Sequence, residues 1–455
     1  MPGFTGRSAA PRPLDGDLSL GAPPIPQSTD PHAGPPGSVR AMHVLTPRLL
    51  AALLAGAALA GCGKSAPSGT GGYRSGSSGT IAPLSTQGAA GLATKNTTRL
   101  GGPDPATDAA AVARAVYPGL TAATRPQAVV LVDEHDWPAA LAASALASAP
   151  LSAPLLYTDG STLSTASSQA LAAMHPTGAT AAGGAQVIRI GTGPAAPAGY
   201  RADALAAGEP AALAVEVARL TSRARGVAPR QVIVLADDSP PALAMPAAGL
   251  SAESGVPILL VSSTTVPAAT GTELAGLHRP TIYVVGPSAL SSRVLAELAR
   301  FGPVKRIGGG SGEESRAGGN PIENAIAVAR FADGAFGWGI REPGHGLVFA
   351  NLSRPLDAPA AALLSASGDF GPLLLLDDSS PPTRASIPPA LVRYLSDIKP
   401  AYSPQVPPVR GVYNHGWLIG DEQAISTLAQ AEIDTLLETS PRATATEEPS
   451  LPIAE

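Results

Sequence analysis

Apolar positions along this chain fall into two rhythms that alternate three times over. Helical spacing runs through residues 109–117, 211–220 and 322–331. Each stretch is followed by a run apolar at successive positions: 129–132, 232–235 and 347–350. Such a run is buried on both faces, as the strands of a parallel sheet are beneath covering helices. An Ala-rich stretch comes next (138–149, 241–254, 357–367), and its small side chains predict a helix packed closely against the sheet. A proline then opens a second apolar run at Pro154, Pro257 and Pro372. A further helix and a third strand (186–190, 281–285, 417–419) complete each unit, ending at Gly191, Gly286 and Gly420. Strand, helix, strand, helix, strand is the order of a doubly wound α/β fold.

The spacing establishes that these are copies. The triplet Val112-Ala113-Arg114 returns as Val217-Ala218-Arg219 and Val328-Ala329-Arg330. The interval from first strand to proline is 129 to 154, 232 to 257 and 347 to 372, which is 25 residues each time. A period near a hundred residues predicts three small tandem domains rather than a solenoid of short repeats. The third opening helix also has a start signal, with Asn320 as N-cap and Pro321 at the first helical position; Pro210 takes the latter part in the second unit. Boundaries are expected at 98–198, 199–303 and 304–439.

The chain's single cysteine sets the expected compartment. Arg48 precedes an apolar stretch, residues 49–61, that is short for a bilayer span and ends in small residues, as a secretory signal does. Leu59-Ala60-Gly61-Cys62 resembles the lipobox of bacterial lipoproteins, which implies diacylation at Cys62 and cleavage ahead of it. Two acyl chains anchor a protein stably where one does not. Residues 1–41 are Pro-, Gly- and Ser-rich and precede Met42, so they read as an over-extended N-terminus. The span 62–97 reads as a flexible tether and 440–455 as a disordered tail. One cysteine excludes an internal disulfide framework and a cysteine-built metal site.

Charge narrows the partners. Lys and Arg number 30 against 35 Asp and Glu. Removing Arg7, Arg12, Arg40, Arg48, Asp15, Asp17 and Asp30 with the segment before Cys62 leaves 26 against 32, a formal charge of −6. That balance argues against broad nucleic-acid binding while leaving room for a local basic cleft.

Several of these runs are similar to the cell wall-binding repeat 2 family, found in arrays of three on Gram-positive surface proteins. Pro257-Ile258-Leu259-Leu260 matches the family's proline-led strand, and 154–157 and 372–375 are near copies. Residues 419–426 and 285–291 resemble its strand end. Asp357-Ala358 and 137–141 preserve parts of its helix start, and Arg99-Leu100-Gly101-Gly102 and Arg306-Ile307-Gly308-Gly309 fit its repeat openings. The acidic helix-start residue is replaced by Ala139 and Ala242 in the first two units. The resemblance covers about residues 98–438. It implies three tandem doubly wound (Rossmann/flavodoxin-like) parallel-sheet domains in pseudo-threefold arrangement, binding an anionic cell-wall polymer at the cell surface.

Ligands of open α/β sheets meet loops at the carboxyl ends of strands. There the sequence offers Asp133-Glu134-His135-Asp136-Trp137, Asp237-Asp238-Ser239 and Asn351-Leu352-Ser353-Arg354. Asp136 is placed to cap the next helix, while His135 and Trp137 are candidate glycan contacts. Asn351 and Arg354 suit an anionic glycan, because arginine presents a bidentate fork. Lys305 and Arg306 beside residues 308–312 suggest an anion-binding loop. Asn414 and His415 form a polar-aromatic group with Trp417. The Val-Ala-Arg arginines read as structural, near helix ends. No nucleophile elbow, zinc-protease helix or phosphate loop is present, and the glycines at 191 and 193 lack dinucleotide spacing. The loops share no fixed constellation, which suits a binding array better than an enzyme. The expected role is therefore a lipid-anchored wall-binding protein without catalytic residues, cofactor, metal or nucleic-acid partner. A transporter's solute-binding lipoprotein and a wall-modifying enzyme are the alternatives.

Overall fold

A computed structural model describes residues 93–308, 319–366, 371–377, 387–402 and 413–441, all within one of the two units into which the chain divides, residues 66–455. The leader, Cys62, the tether up to residue 92, the glycine loop after 308 and the tail from 442 lie outside the described residues.

In chain order the elements are β1 (Thr97–Leu100), α1 (Pro105–Val116), β2 (Val129–Asp133), α2 (Trp137–Ala143), β3 (Leu155–Asp159), β4 (Thr162–Leu163), α3 (Thr165–Met174), β5 (Val187–Ile190) and β6 (Ala202–Leu205). The second unit holds α4 (Pro210–Arg225), β7 (Gln231–Ala236), α5 (Pro246–Ser254), β8 (Ile258–Val261), α6 (Ala268–Gly276), β9 (Thr281–Val285), α7 (Ser292–Phe301) and β10 (Val304–Ile307). The third holds α8 (Pro321–Arg330), β11 (Gly346–Asn351), α9 (Asp357–Ser365), β12 (Leu373–Leu376), α10 (Pro389–Asp397), β13 (Ala401–Tyr402), β14 (His415–Ile419), α11 (Thr427–Leu437) and β15 (Ser440–Pro441).

The three expected siblings are present. Sheet order is β3-β2-β5-β6 in the first unit, β8-β7-β9-β10 in the second and β12-β11-β14-β1 in the third, with every one of these pairings parallel. The first sheet adds β4 as a short antiparallel edge. The apolar runs lie under helices on both sides: Val129 to Val132, Val232 to Val234 and Leu347 to Ala350 are fully buried.

The fourth strand of each sheet closes the architecture in a way the apolar pattern did not announce. In the third unit that strand is β1, from the start of the described residues, with Leu100 opposite Ile419 and Thr97 opposite Gly416. The first strand among the described residues is therefore an edge of the third unit's sheet. Arg99, buried on β1, fixes the pairing by donating from Nε and one terminal nitrogen to Gln430 Oε1 (3.2 and 2.9 Å). Its other terminal nitrogen donates to the carbonyls of Gly420 and Asp421 (3.1 and 2.6 Å). Ser440 and Pro441, expected to open the tail, pair instead with Ala401 and Tyr402.

The Ala-rich helices meet one another. Helix α2 with its short 3-10 continuation (Ser144–Ala147), α5 and α9 pack mutually at the junction of the three units. Small residues permit this closeness: a Cβ added at Gly249 of α5 would lie 2.7 Å from Ser365 Oγ of α9. Pro246 restarts the second of these helices after a 3-10 turn (Pro241–Leu243), so it begins later than residue 241.

Candidate functional site

The residues expected to touch ligand are placed very differently from one another. Asn351 is buried. Its amide donates to the Ala424 carbonyl (2.8 Å), and its side-chain oxygen accepts from the Ser353 amide (2.9 Å) and hydroxyl (2.8 Å). Asn414 is also fully buried: Oδ1 accepts from the amides of Gly344 (2.8 Å) and His345 (3.1 Å), and Nδ2 donates to Ile398 O (2.8 Å). Both amides hold loops to strands, with their hydrogen-bonding capacity spent inside the protein.

Arg354 faces inward between two carboxylates. Its Nε donates to Asp357 Oδ2 (2.8 Å), one terminal nitrogen pairs with Asp108 Oδ2, and the other reaches the Pro103 carbonyl (3.3 Å). Asp108 and Asp357 are both fully buried, and Asp108 Oδ1 also accepts from the Gly102 amide at 2.6 Å. Burial, then repulsion from Asp357, pushes the Asp108 carboxyl up to about 9, and burial pushes Asp357 up to about 6. Between those values the pair holds one proton where free carboxyls hold none, and Arg354 balances the remaining charge. This strut joins α1 of the first unit to α9 of the third.

The repeat register explains why the strut occurs once. The positions matching Asp108 are Leu213 and Asn324, and those matching Asp357 are Ala139 and Ala242. At the second-to-third junction Asn324 donates to the Leu243 carbonyl (2.9 Å) instead. Sequence reasoning passed over Asp108. The signal was an aspartate on the apolar stripe of α1, matched by the one repeat that keeps the acidic helix start.

The loops at the carboxyl ends of the strands are acidic. Asp133, Asp159, Asp237, Asp377 and Asp421 stand at or just past the ends of β2, β3, β7, β12 and β14. Many organise their own loops. Asp133 Oδ1 accepts from the amides of His135 (3.1 Å) and Gly160 (3.2 Å), Asp136 caps α2 through the Ala139 amide (3.1 Å), and Asp238 holds Ser263 (2.6 and 2.9 Å). His135 is exposed and contacts Asp159 at 3.1 Å; that contact raises its pKa, while burial raises that of Glu134. Glu134, His135 and Asp159 lie close enough together to share a cation. Trp137 opens α2, half-buried against the core.

Basic side chains collect at the opposite, amino ends of the strands. Arg114, Arg223, Arg225, Arg300 and Arg330 occupy last turns of helices, and Arg201, Arg230 and Arg279 immediately precede or closely precede β6, β7 and β9. Lys305 on β10 pairs with Asp333, whose carboxylate also accepts from the Tyr283 hydroxyl at 2.6 Å; Arg306 beside it is exposed. His415 packs edge-on to Trp417 (5.1 Å, 67°), lies 3.1 Å from Thr98 Oγ1, and has its pKa lowered by burial.

Residues 99–192 match the family description "Cell wall binding domain 2 (CWB2)". The chain carries a cell wall binding domain. That assignment agrees with the resemblance carried by the strand and helix-start motifs, and it places the role at the cell wall. Likeness in fold extends past the matched segment. Cwp8 from Clostridium difficile superimposes with a TM-score of 0.55 at 18% identity, over 76% of this chain and 52% of that one. Cwp6 from the same organism gives 0.53 at 16% identity, over 75% and 48%. The chain thus spans about half the length of these structures, and at such identities they speak to fold alone. No curated protein sequence matches the chain significantly.

Proposed function

We propose that this protein is a lipid-anchored, non-catalytic wall receptor that holds an anionic cell-wall polymer. Cys62 would fix it to the outer face of the cytoplasmic membrane, and the tether would carry the folded units into the wall. The observation that carries the choice of an anionic ligand is the separation of charge within the units. Carboxylates gather at the carboxyl ends of the strands, and arginines gather at the amino ends and in the last helical turns, with Asp333 and Asp397 lying among them as partners of Lys305 and Arg330. Positive side chains there meet no helix dipole of like sign, since helix C-termini carry partial negative charge. A polyanion lying along that end makes several weak contacts at once, and three related units multiply them. This reading moves the polymer from the acidic loops around His135 and Trp137 to the basic end.

No helix among the described residues is long and apolar enough to cross a membrane. The residues proposed to hold the lipid lie outside that description. Co-sedimentation of the full chain with purified walls tests the proposal, comparing intact walls with walls stripped of anionic polymer. The expected result is pelleting with the first and not the second. Equal pelleting with both assigns recognition to peptidoglycan and defeats the polyanion reading. A chain carrying Glu134→Gln and His135→Ala together is expected to pellet as the unaltered chain does.

A further inference from the structure

The third unit differs from its siblings at one arginine. Helix α8 ends in Arg330, whose guanidinium carbon sits 5.2 Å above the ring centroid of Tyr394 on α10. One terminal nitrogen pairs with Asp397, an exposed side chain on the same helix as Tyr394. The Arg330 Nε is nonetheless buried without a hydrogen-bond partner, and so is the Tyr394 hydroxyl, although Tyr394 as a whole is only 1% exposed. Arg341, exposed, donates to the Arg330 carbonyl at 3.5 Å, and its charge acts on the Tyr394 hydroxyl along with that of Arg330.

The equivalent arginines are provided for differently. In the second unit, Arg219 is met by Glu273 of α6 at 2.9 and 3.0 Å. When the helices are aligned on their N-caps (Ser164, Pro267 and Pro388), the position of Glu273 is taken by Ala170 in the first unit and Tyr394 in the third. The third unit places a hydroxyl at the carboxylate's position, meets its arginine from Asp397 further along the same helix, and has Arg341 close by. A buried hydroxyl and a buried guanidinium N–H left without acceptors each carry a desolvation cost, which an acceptor between them would relieve. Two arginines beside a hydroxyl donor make a receptor for an oxyanion, since guanidinium matches carboxylate and phosphate alike.

We propose that Arg330, Arg341 and the Tyr394 hydroxyl form an oxyanion subsite particular to the third unit, taking a phosphate or carboxylate group. As a subsite for the wall polymer it rests on the polyanion reading above; as an anion site it does not. Calorimetric titration of the full chain with inorganic phosphate and, separately, with acetate tests it and distinguishes the two chemistries. Arg341→Ala and Tyr394→Phe are each expected to weaken binding of the preferred anion about tenfold or more, the scale of one lost charge-assisted hydrogen bond. Arg293→Ala, on the exposed first turn of α7, is expected to leave it unchanged. Failure of both anions to bind the unaltered chain, or equal binding by all variants, overturns the subsite. Wall pelleting measured on the same samples separates the two ideas. Unaltered pelleting by Arg341→Ala and Tyr394→Phe chains leaves wall binding standing without this subsite. An unaltered chain that binds phosphate or acetate through these residues yet ignores walls keeps the subsite and defeats the wall reading.

Discussion

A chain carrying Arg354→Ala is expected to lose roughly 3–5 kcal/mol of stability at neutral pH, the usual cost of removing one partner from a buried ionic group. The arginine is the only cation touching Asp108 and Asp357 among the contacts described, and both carboxyls are sealed from water. Without it they must either stay charged and repel, or take up a second proton. The loss should therefore be greater at pH 8.5 than at pH 5. The unaltered chain carries a milder form of the same dependence. Both carboxyls bind protons more tightly folded than unfolded, so their favourable contribution is complete below about pH 4. It is lost as pH rises through about 6 and then about 9. Asp108→Asn keeps the shape, does not titrate, and should flatten the alkaline part of this loss. Urea unfolding midpoints at the two pH values read all three expectations. An Arg354→Ala chain as stable as its parent at pH 8.5 would show that this strut does not join the first unit to the third.

The second large effect concerns the strand that closes the third sheet. A chain beginning at Gly101 lacks β1 and with it the hydrogen bonds of Arg99 to Gln430, Gly420 and Asp421. Strand β14 then becomes an edge with unpaired backbone groups, and α11 loses its buried cation. Backbone amides of residues 415–419 are expected to lose most of their hydrogen-exchange protection, while those of β7 and β9 keep theirs. Exchange slowed equally in both places would mean that the third unit does not depend on β1. The geometry at the next residue is tight: Gly101 sits at φ +122°, and a Cβ there would lie 2.1 Å from Asp108 Oδ1. Closure of the sheet and formation of the Asp108 strut are thus set within a few residues of each other.

The strands that the sequence shows plainly are those buried on both faces, where burial alone dictates an unbroken apolar run. The ones it hides are edges. Strand β6 reads Ala202-Asp203-Ala204-Leu205 and β10 reads Val304-Lys305-Arg306-Ile307, each half-exposed, so neither stands out against the loops around it. Helix α1 was legible by period, but the importance of Asp108 within it was not, because its partners come from a segment more than two hundred residues away. The same distance misled the reading of Arg354. An arginine in a strand-end loop looks like a ligand contact until a buried carboxylate from another unit is seen to claim it. Tyr394 and Arg341 gave no motif at all; only the comparison of equivalent helices in the folded units sets them apart from Glu273 and Ala170.

Polyanion recognition by the basic end is the claim on which the functional account stands, and its electrostatic origin is directly measurable. Affinity of the full chain for isolated anionic wall polymer should be determined across ionic strength from about 50 to about 200 mM, where screening shortens to within the spacing of neighbouring charges. Log affinity is expected to fall linearly with log salt, by roughly tenfold or more over that range. An affinity that stays flat would contradict it.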